Sequence, residues 1–455
     1  MGKSTTALSA FVAALVLIPA AGWAQNDGGE QGDDGERAIE FHAVLKNLYL
    51  YRNDSDFDRS APVYNPDGQS MGVAGTDLRS FITWHVSNKL RIHYEVEIGL
   101  NVWSRNSPDE GDPTADDIFL LKHREIYTEG TLADDLVGFK VGYQRLNDPT
   151  VLFIGHWFGA ADFSLNFQKG AVHAVAGAFP DTTYEGLTAQ FNNFTHDTAL
   201  FALYGNASLG RHLTLNAGLF TIQDESVIGR SMTLWTPALN LTAVMNPDPV
   251  SLSLSADLAM QFGPSRGRSY DGGDQMNHGW AGQIHGALTW KRFALDANVL
   301  ALSADDPYDN DGSNGAFYYS GRTRSSTLFL TEDKVHDWYD NIDERLASPR
   351  GAFYLSRAGL LLADLKLSYL VTRWFRPTLI FGTARVLESK NALGEDYVGT
   401  EADVDLQFPV DPALTFHLIG GLLAPGGAAG ALVNSIDTNR AENIWTAEAA
   451  MIVEF

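Results

Sequence analysis

The chain has no cysteine in its 455 residues. This absence excludes a disulfide framework, a thiolate metal site and a lipid anchor attached through a cysteine sulfur. Long hydrophobic runs are also missing, because no stretch after residue 24 approaches the roughly 20 consecutive apolar residues of a membrane-spanning helix. The sequence therefore predicts neither a disulfide-rich secreted domain nor a bundle of transmembrane helices.

Basic residues are scarce relative to acidic ones. The chain carries 32 Lys and Arg residues against 56 Asp and Glu residues, for a formal charge of −24. Such an excess of negative charge argues against nucleic acid as a partner and against direct binding to anionic lipid. Glycine is abundant, with 43 residues, and no Pro-rich or Ser-rich linker divides the sequence. One large unit is the simplest interpretation.

The first 24 residues have the pattern of a secretory signal peptide. Lys3 supplies the positive charge, residues 7–18 form a short apolar core, and Gly22-Trp23-Ala24 fits a small-residue cleavage site. We therefore predict a cleaved signal peptide over 1–24, an acidic flexible tail over 25–37 and one domain over 38–455. Such a leader implies export from the cytoplasm.

Alternating hydrophobicity is the strongest pattern in the sequence. Over 250–262 every second residue is apolar, and serines, Asp257 and Gln261 lie between them. Successive side chains of a strand point to opposite faces, so this segment predicts a strand with one apolar and one polar face. Similar alternation marks about eighteen strand candidates in the chain. The clearest cover 90–102, 137–144, 163–168, 212–219, 398–408 and 445–455, and weaker ones cover 118–129, 171–179 and 355–369.

The connectors between these candidates alternate between short and long, with 389–395 as a short exception on the long side. Outer-membrane barrels show this asymmetry, with short periplasmic turns and long extracellular loops. The sequence therefore predicts an all-β protein, a transmembrane antiparallel β-barrel of 16–18 strands. Phe455 ends the last strand with an aromatic residue, a feature typical of chains recognised by the outer-membrane insertion machinery. The long connectors are expected near 51–75, 104–117, 146–160, 180–196, 221–230, 263–278, 304–354 and 425–440.

A barrel of this size encloses a lumen too wide for wall side chains alone to fill, so a channel is the expected function. The predicted inward residues are mostly polar, and the serine face of 250–262 predicts a smooth, wide section of wall. The connector 304–354 is long enough to fold into the mouth and gate the pore. Within it, 333–346 has the spacing of a short amphipathic helix.

Two groups of charged residues lie on predicted strands and are our candidates for lining the pore and setting its selectivity. Opposite charges on one inner face can orient a passing ionic or sugar solute; the alternative is a set of cross-strand ion pairs that only stabilise the wall. The first group is Lys89, Arg91, His93, Glu95 and Glu97, and the second is Lys122, Arg124, Lys140, Gln144 and Arg145.

The second group lies in a segment that resembles a known family. The run Arg124-Glu125-Ile126-Tyr127, followed by Gly142-Tyr143-Gln144-Arg145-Leu146 with Asp148 and Trp157, is similar to the alginate-export family of outer-membrane barrels. The similarity covers roughly 118–168. It implies eighteen strands, transport of an anionic polysaccharide and a selectivity zone lined by Lys122, Arg124, Lys140 and Arg145. The acidic excess of the chain departs from the cationic lumen that such a substrate requires.

We therefore predict a channel for diffusion or export of hydrophilic solutes, including sugars or polysaccharide, with outer-membrane lipid and the insertion machinery as partners. The alternative is a non-conducting scaffold, adhesin or secretion-complex component. The histidines are scattered and no G-x-S-x-G motif is present, so no catalytic residue, enzyme activity or cofactor is predicted. No metal site is predicted either, because Pro307 stands at the first ligand position of a calcium-loop-like run over 305–312.

Overall fold

The computed structural model is a closed antiparallel β-barrel of eighteen long strands, which confirms the predicted fold class. The remaining three strands, β12, β13 and β16, are short and lie between barrel strands. The structure describes residues 39–53, 70–105, 120–178, 198–227, 230–266, 274–306, 308–309, 312–317, 324–330, 357–434 and 443–455. The predicted signal peptide, the predicted acidic tail and the predicted helix over 333–346 lie outside these residues.

Each barrel strand pairs with its neighbours along the chain, apart from the places where the short strands intervene. The strands are β1 (Ile39–Asn53), β2 (Ser70–Ser87), β3 (Leu90–Arg105), β4 (Leu120–Leu132), β5 (Val137–Asn147), β6 (Gly155–Phe167), β7 (Gly170–Ala178), β8 (Thr198–Ser208), β9 (Leu213–Val227), β10 (Arg230–Met245), β11 (Val250–Met260), β12 (Gly263–Arg266), β13 (Gln275–Asn277), β14 (Trp280–Trp290), β15 (Phe293–Leu302), β16 (Ser313–Asn314), β17 (Leu360–Tyr369), β18 (Arg376–Arg385), β19 (Tyr397–Asp411), β20 (Leu414–Pro425) and β21 (Ile444–Glu454). A 3-10 helix, Ser389–Ala392, and a helix α1, Gly427–Asn434, lie in two of the connectors.

The barrel closes through antiparallel pairing of β1 with β21. The register runs from Val44 opposite Glu454 to Arg52 opposite Thr446. Ala43 and Phe455 extend this seam with two main-chain hydrogen bonds, of 2.6 and 2.9 Å. Closure leaves no edge strand, so every strand of the wall has partners for its N–H and C=O groups on both sides.

The alternation of connector lengths is as predicted. At one end of the barrel, 168–169, 291–292 and 412–413 each join two strands through two residues. At the other end, β1 is separated from β2, β7 from β8 and β15 from β17 by much longer stretches of sequence, 54–69, 179–197 and 303–359. The predicted long connector over 221–230 is wrong, because β9 continues to Val227 and β10 begins at Arg230. The polar residues of that stretch extend two paired strands instead of forming a loop.

The outer face of the barrel is apolar. On β11, Leu254, Leu258 and Met260 are 52%, 46% and 53% exposed, while Ser255 and Asp257 between them are buried. The predicted orientation of this strand is therefore confirmed. None of the helices in the part of the chain that the structure describes has the length and apolar character required to span a bilayer.

The inner face is less uniformly polar than predicted. On strands β6 to β10 the buried inward side chains include Phe158, Leu200, Ile222 and Leu234. The reason is that connectors fold into the barrel and pack on this wall, so it forms part of an apolar core. The prediction of a smooth, wide wall at 250–262 is also wrong, because a connector covers part of this wall. Its Arg324 side chain lies 3.2 Å from Asp257.

Candidate functional site

One sector of the inner wall is built from ion pairs between neighbouring strands, and we call the inward side chains of β2 to β5 the charged wall. Its centre is Glu97 on β3, whose carboxylate is 1% exposed. The Arg124 guanidinium donates two hydrogen bonds to it, of 2.7 and 2.9 Å. Arg79 on β2 lies 3.2 Å from Glu97 and 3.4 Å from Asp77. One buried carboxylate thus links three strands.

A β-bulge brings Arg124 to this centre. Glu95 pairs with Glu125 across β3 and β4, but the next residue, Val96, pairs with His123. Arg124 is therefore the extra residue on β4, and a bulge of this kind re-aims a side chain. Strict alternation places Arg124 and Glu125 on opposite faces, yet Arg124 contacts Glu97 and Glu125 lies 4.0 Å from the Lys140 ammonium.

A second row of the charged wall lies closer to the short turns. Arg91 pairs with Glu129 at 2.5 Å, and the Arg91 side chain is 53% exposed. The Lys140 ammonium lies 3.8 Å from the ring centroid of Tyr127. The His93 ring stacks on the same Tyr127 ring, with the two ring centroids 4.9 Å apart. These groups are accessible to solvent inside the barrel.

Three of the predicted pore-lining residues have other surroundings. Lys89 lies in the turn before β3, 3.8 Å from Asp134. Gln144 is 1% exposed, and its amide donates to main-chain oxygens of β5 and β6. Arg145 and Arg124 both lie over the Trp157 ring, at 5.2 and 4.8 Å from its centroid.

The remaining predicted residue of the second group, Lys122, lies on β4 in register with Glu97.

Sequence reasoning missed two members of the charged wall, Asp77 and Arg79. Both lie on β2, where they alternate with the apolar or small residues Leu78 and Ser80. That alternation is the signal by which they are identifiable. It is weaker than on β3 because β2 begins with glycine-rich sequence that has no clear polar and apolar faces.

A second sector of the inner face carries carboxylates with few cations, and we call it the carboxylate wall. The predicted inward orientation of Glu401, Asp403 and Asp405 on β19 is what the structure shows, since all three are buried and alternate with exposed or half-buried residues. His417 lies 3.1 Å from Asp405. The other inward carboxylates of this wall are Asp257, Asp296, Asp364 and Glu448.

A stretch of the long connector, residues 324–330, is folded against the carboxylate wall, and we call it the inserted segment. The buried Glu401 carboxylate accepts main-chain N–H groups of Leu328, Phe329 and Leu330, the last two at 2.8 and 2.9 Å. At the start of the segment, Arg324 pairs with Asp257. Residues 324–330 of the connector 304–354 therefore lie against the inner face of the barrel. Gating by this connector stays a prediction.

The connector 148–154 also folds inward. Its Asp148 carboxylate accepts the N–H groups of Thr150, Phe153 and Ile154 at 2.8 to 2.9 Å. Burial raises the pKa of Asp148, while these hydrogen bonds oppose the rise. Phe153 is fully buried and lies edge-on to Phe317, with ring centroids 6.4 Å apart. The two connectors thus meet within the barrel and narrow its interior.

Comparisons with known proteins identify the fold. No protein-family model and no curated protein matches the chain. Crystal structures of OccK8 (OprE) and of the outer membrane protein OprD, both from Pseudomonas aeruginosa, are similar, with TM-scores of 0.58 and 0.57 at 12% and 9% identity. Each alignment covers 92% of this chain, and 98% and 94% of those chains. OccAB2 from Acinetobacter baumannii aligns over 92% of this chain and 98% of its own, with a TM-score of 0.54 at 11% identity.

These similarities agree with the barrel described above. They do not place the chain in the alginate-export family, and at such low identity they identify the architecture rather than a solute. Any preference for a solute has to be argued from this chain's own inner walls.

Proposed function

We propose that this protein is an outer-membrane channel through which small hydrophilic solutes diffuse. The observation that carries the proposal is a charged inner wall that stays accessible to solvent within a closed barrel whose outside is apolar. The side chains of Arg91, Lys140 and Glu129 are 53%, 26% and 23% exposed. A lumen lined in this way stabilises ions and polar solutes, which can pass through it without being chemically changed.

We further propose that the channel prefers cations. The carboxylate wall carries seven inward carboxylates among the described residues, namely Asp257, Asp296, Asp364, Glu401, Asp403, Asp405 and Glu448. Among the described residues of the same strands the inward cation is Lys366, and Arg324 of the inserted segment pairs with Asp257. On the charged wall, each arginine has a carboxylate partner, so that sector does not offset the excess of negative charge.

The test is the reversal potential of the purified protein in a planar bilayer that separates two KCl concentrations. Cation preference gives a potential of the sign set by K⁺ flow down its gradient. A potential of opposite sign contradicts the cation preference but leaves the channel intact. Failure to conduct at all, in protein shown to be folded, contradicts the channel and favours the non-conducting scaffold or adhesin.

Export of an anionic polysaccharide is the second candidate, because of the resemblance around Arg124 and Arg145. The observation in its favour is that these two guanidinium groups lie over one indole, that of Trp157. Stacked arginines and aromatic rings suit polymers that carry both carboxylates and sugar faces. Alginate oligomers added to one side of the bilayer should then block the current, whereas neutral maltose oligomers of similar length should not.

Delivery to the outer membrane is a further part of the proposal. The leader over 1–24 is proposed to be cleaved after Ala24, and the terminal Phe455 to be recognised by the insertion machinery. The pairing of Phe455 with Ala43 supports the second point, because it places this aromatic residue at the seam of the barrel. Amino-terminal sequencing of the protein from outer-membrane fractions should begin at Gln25, and a chain without Phe455 should insert less efficiently.

A further inference from the structure

The charged wall contains one group of side chains whose charges its own ion pairs do not balance. Glu95 on β3 and Glu125 on β4 lie directly opposite each other in the strand register. Like charges in this position repel, so they destabilise the pairing of two strands unless a cation lies between them. His93 lies two residues before Glu95 and therefore on the same face of β3. One ligand atom from each of the three residues lies within 4.8 Å of the other two.

The two arginines nearest to this group are held by other carboxylates. Arg124 is bound in bidentate fashion by Glu97, and Arg91 pairs with Glu129. Among the described residues, no Lys or Arg group forms an ion pair with Glu95. The Lys140 ammonium reaches Glu125 only at 4.0 Å and lies closer to the Tyr127 ring, at 3.8 Å. The Lys140 ammonium and the main-chain N–H of Arg145 offset part of the charge of Glu125, whereas Glu95 has no ion pair among the described residues. An external cation can relieve the repulsion that remains.

His93 is oriented as a metal-ligating histidine commonly is. Its Nδ1 lies 3.1 Å from the Thr83 hydroxyl, which can accept a hydrogen bond from an Nδ1–H group. That tautomer leaves the lone pair on Nε2 available for a metal ion. Stacking on Tyr127 restrains the plane of the imidazole. One strand neighbour thus offers an acceptor for an Nδ1–H group, and another restrains the ring.

We propose that His93, Glu95 and Glu125 bind a divalent transition metal ion of the Zn²⁺ class on the inner wall of the barrel. One imidazole nitrogen and two carboxylate oxygens suit such ions, with water completing the coordination. The bound ion cross-links β3 to β4 next to the bulge and neutralises the negative charge of the two carboxylates. The proposal is independent of the solute that the channel carries.

The test is Zn²⁺ binding to the full-length protein folded in detergent, after EDTA treatment and buffer exchange, by isothermal titration calorimetry. The expected result is one saturable site. Replacing a ligand or its orienting partner typically weakens metal binding by about 10–100-fold, so H93A, E95Q and E125Q should each weaken Zn²⁺ binding by about tenfold or more. H173A is the matched control, because His173 lies 3.1 Å from Asp162 on another part of the inner wall.

Two further variants separate a metal site from general attraction of cations by acidic groups. K140M removes the ammonium nearest to Glu125 and should tighten Zn²⁺ binding, whereas a purely structural role for Lys140 predicts no change. E129Q removes a nearby carboxylate that is not a proposed ligand and should leave the affinity within about twofold, well below the loss expected for a ligand. Absence of a saturable site, or binding that H93A, E95Q and E125Q leave unchanged in folded protein, overturns the proposal.

Discussion

The two inner walls of this barrel use carboxylates in opposite ways. On the charged wall, Glu97 and Glu129 are paired with arginine side chains of neighbouring strands. On the carboxylate wall, Glu401 instead accepts main-chain N–H groups from the inserted segment. The first arrangement stabilises contacts between strands, and at Arg91 and Glu129 it leaves charged groups in contact with water. The second buries its carboxylate and fixes a loop inside the lumen.

The difference shows how one residue type produces either a permeable surface or a blocked one. An arginine partner reaches a carboxylate from the adjacent strand, so the space in front of the wall stays open. Main-chain donors reach a carboxylate only if a connector enters the barrel, so the space in front of that wall is filled. Four substitutions test this contrast between the two walls, and their expected effects range from large to small.

Glu401→Ala should release the inserted segment. Each hydrogen bond to a charged group contributes about 1.5–3 kcal/mol, so losing three of them weakens its attachment by roughly 5 kcal/mol or more. Single-channel conductance should rise, and trypsin should cleave after Arg324 in the folded protein. Asp405→Asn is the control, since Asp405 pairs with His417 rather than with the segment. Unchanged conductance and resistance to trypsin would show that Glu401 does not hold the segment.

Glu97→Gln should destabilise the charged wall without opening it. Removal of one member of a buried ion pair costs about 3–5 kcal/mol, because the other charge stays buried and unpaired. Arg124 and Arg79 are the groups affected. The temperature at which the barrel unfolds on a heat-modifiability gel should fall, with little change in conductance. Glu129→Gln, in a more exposed pair, serves for comparison and should lower this temperature much less.

Gly382→Ala should weaken the inserted segment by packing alone. A Cβ atom at this position meets the Thr327 side chain, so the segment must shift away from the wall. Overpacking of this kind costs about 1–3 kcal/mol, less than the loss of Glu401. A partial rise in conductance is expected. Gly420→Ala should have no effect, because a Cβ there has only ordinary contacts, 3.6 Å from Val404. Equal behaviour of the two variants would contradict close packing at Thr327.

Arg91→Gln should alter selectivity with almost no loss of stability. The pair with Glu129 is largely exposed, and such pairs contribute only about 0–1 kcal/mol. Loss of the positive charge leaves Glu129 unbalanced, so the reversal potential should shift towards stronger cation preference. Lys89→Gln removes the same charge from the turn and should shift the potential less. If the two shifts are the same, Arg91 has no special position along the path of the ions.

The barrel could be predicted from the sequence because alternation is a local property of each strand. The segment 250–262 and the strands of Glu97 and Glu401 each show it without knowledge of any neighbour. The interior could not be predicted in the same way. The apolar connector residues Leu152, Phe153 and Leu330 are a signal of inward folding, since exposed loops are usually polar, but they do not reveal which wall they contact. The inward orientation of Arg124 could not be predicted either, because it results from the β-bulge, and the bulge depends on the register between two strands.

The pairing of Ala43 with Phe455 has a consequence for the order of assembly. Every other contact in the wall joins strands that are close along the chain, whereas this seam closes a loop that includes nearly the whole barrel. The entropic cost of such closure is recovered only after the intervening strands have formed a curved sheet that brings both edges together. The pairing of β1 with β21 should therefore form last during insertion. Until then these two strands are the edges of the sheet that are available to an assembly factor.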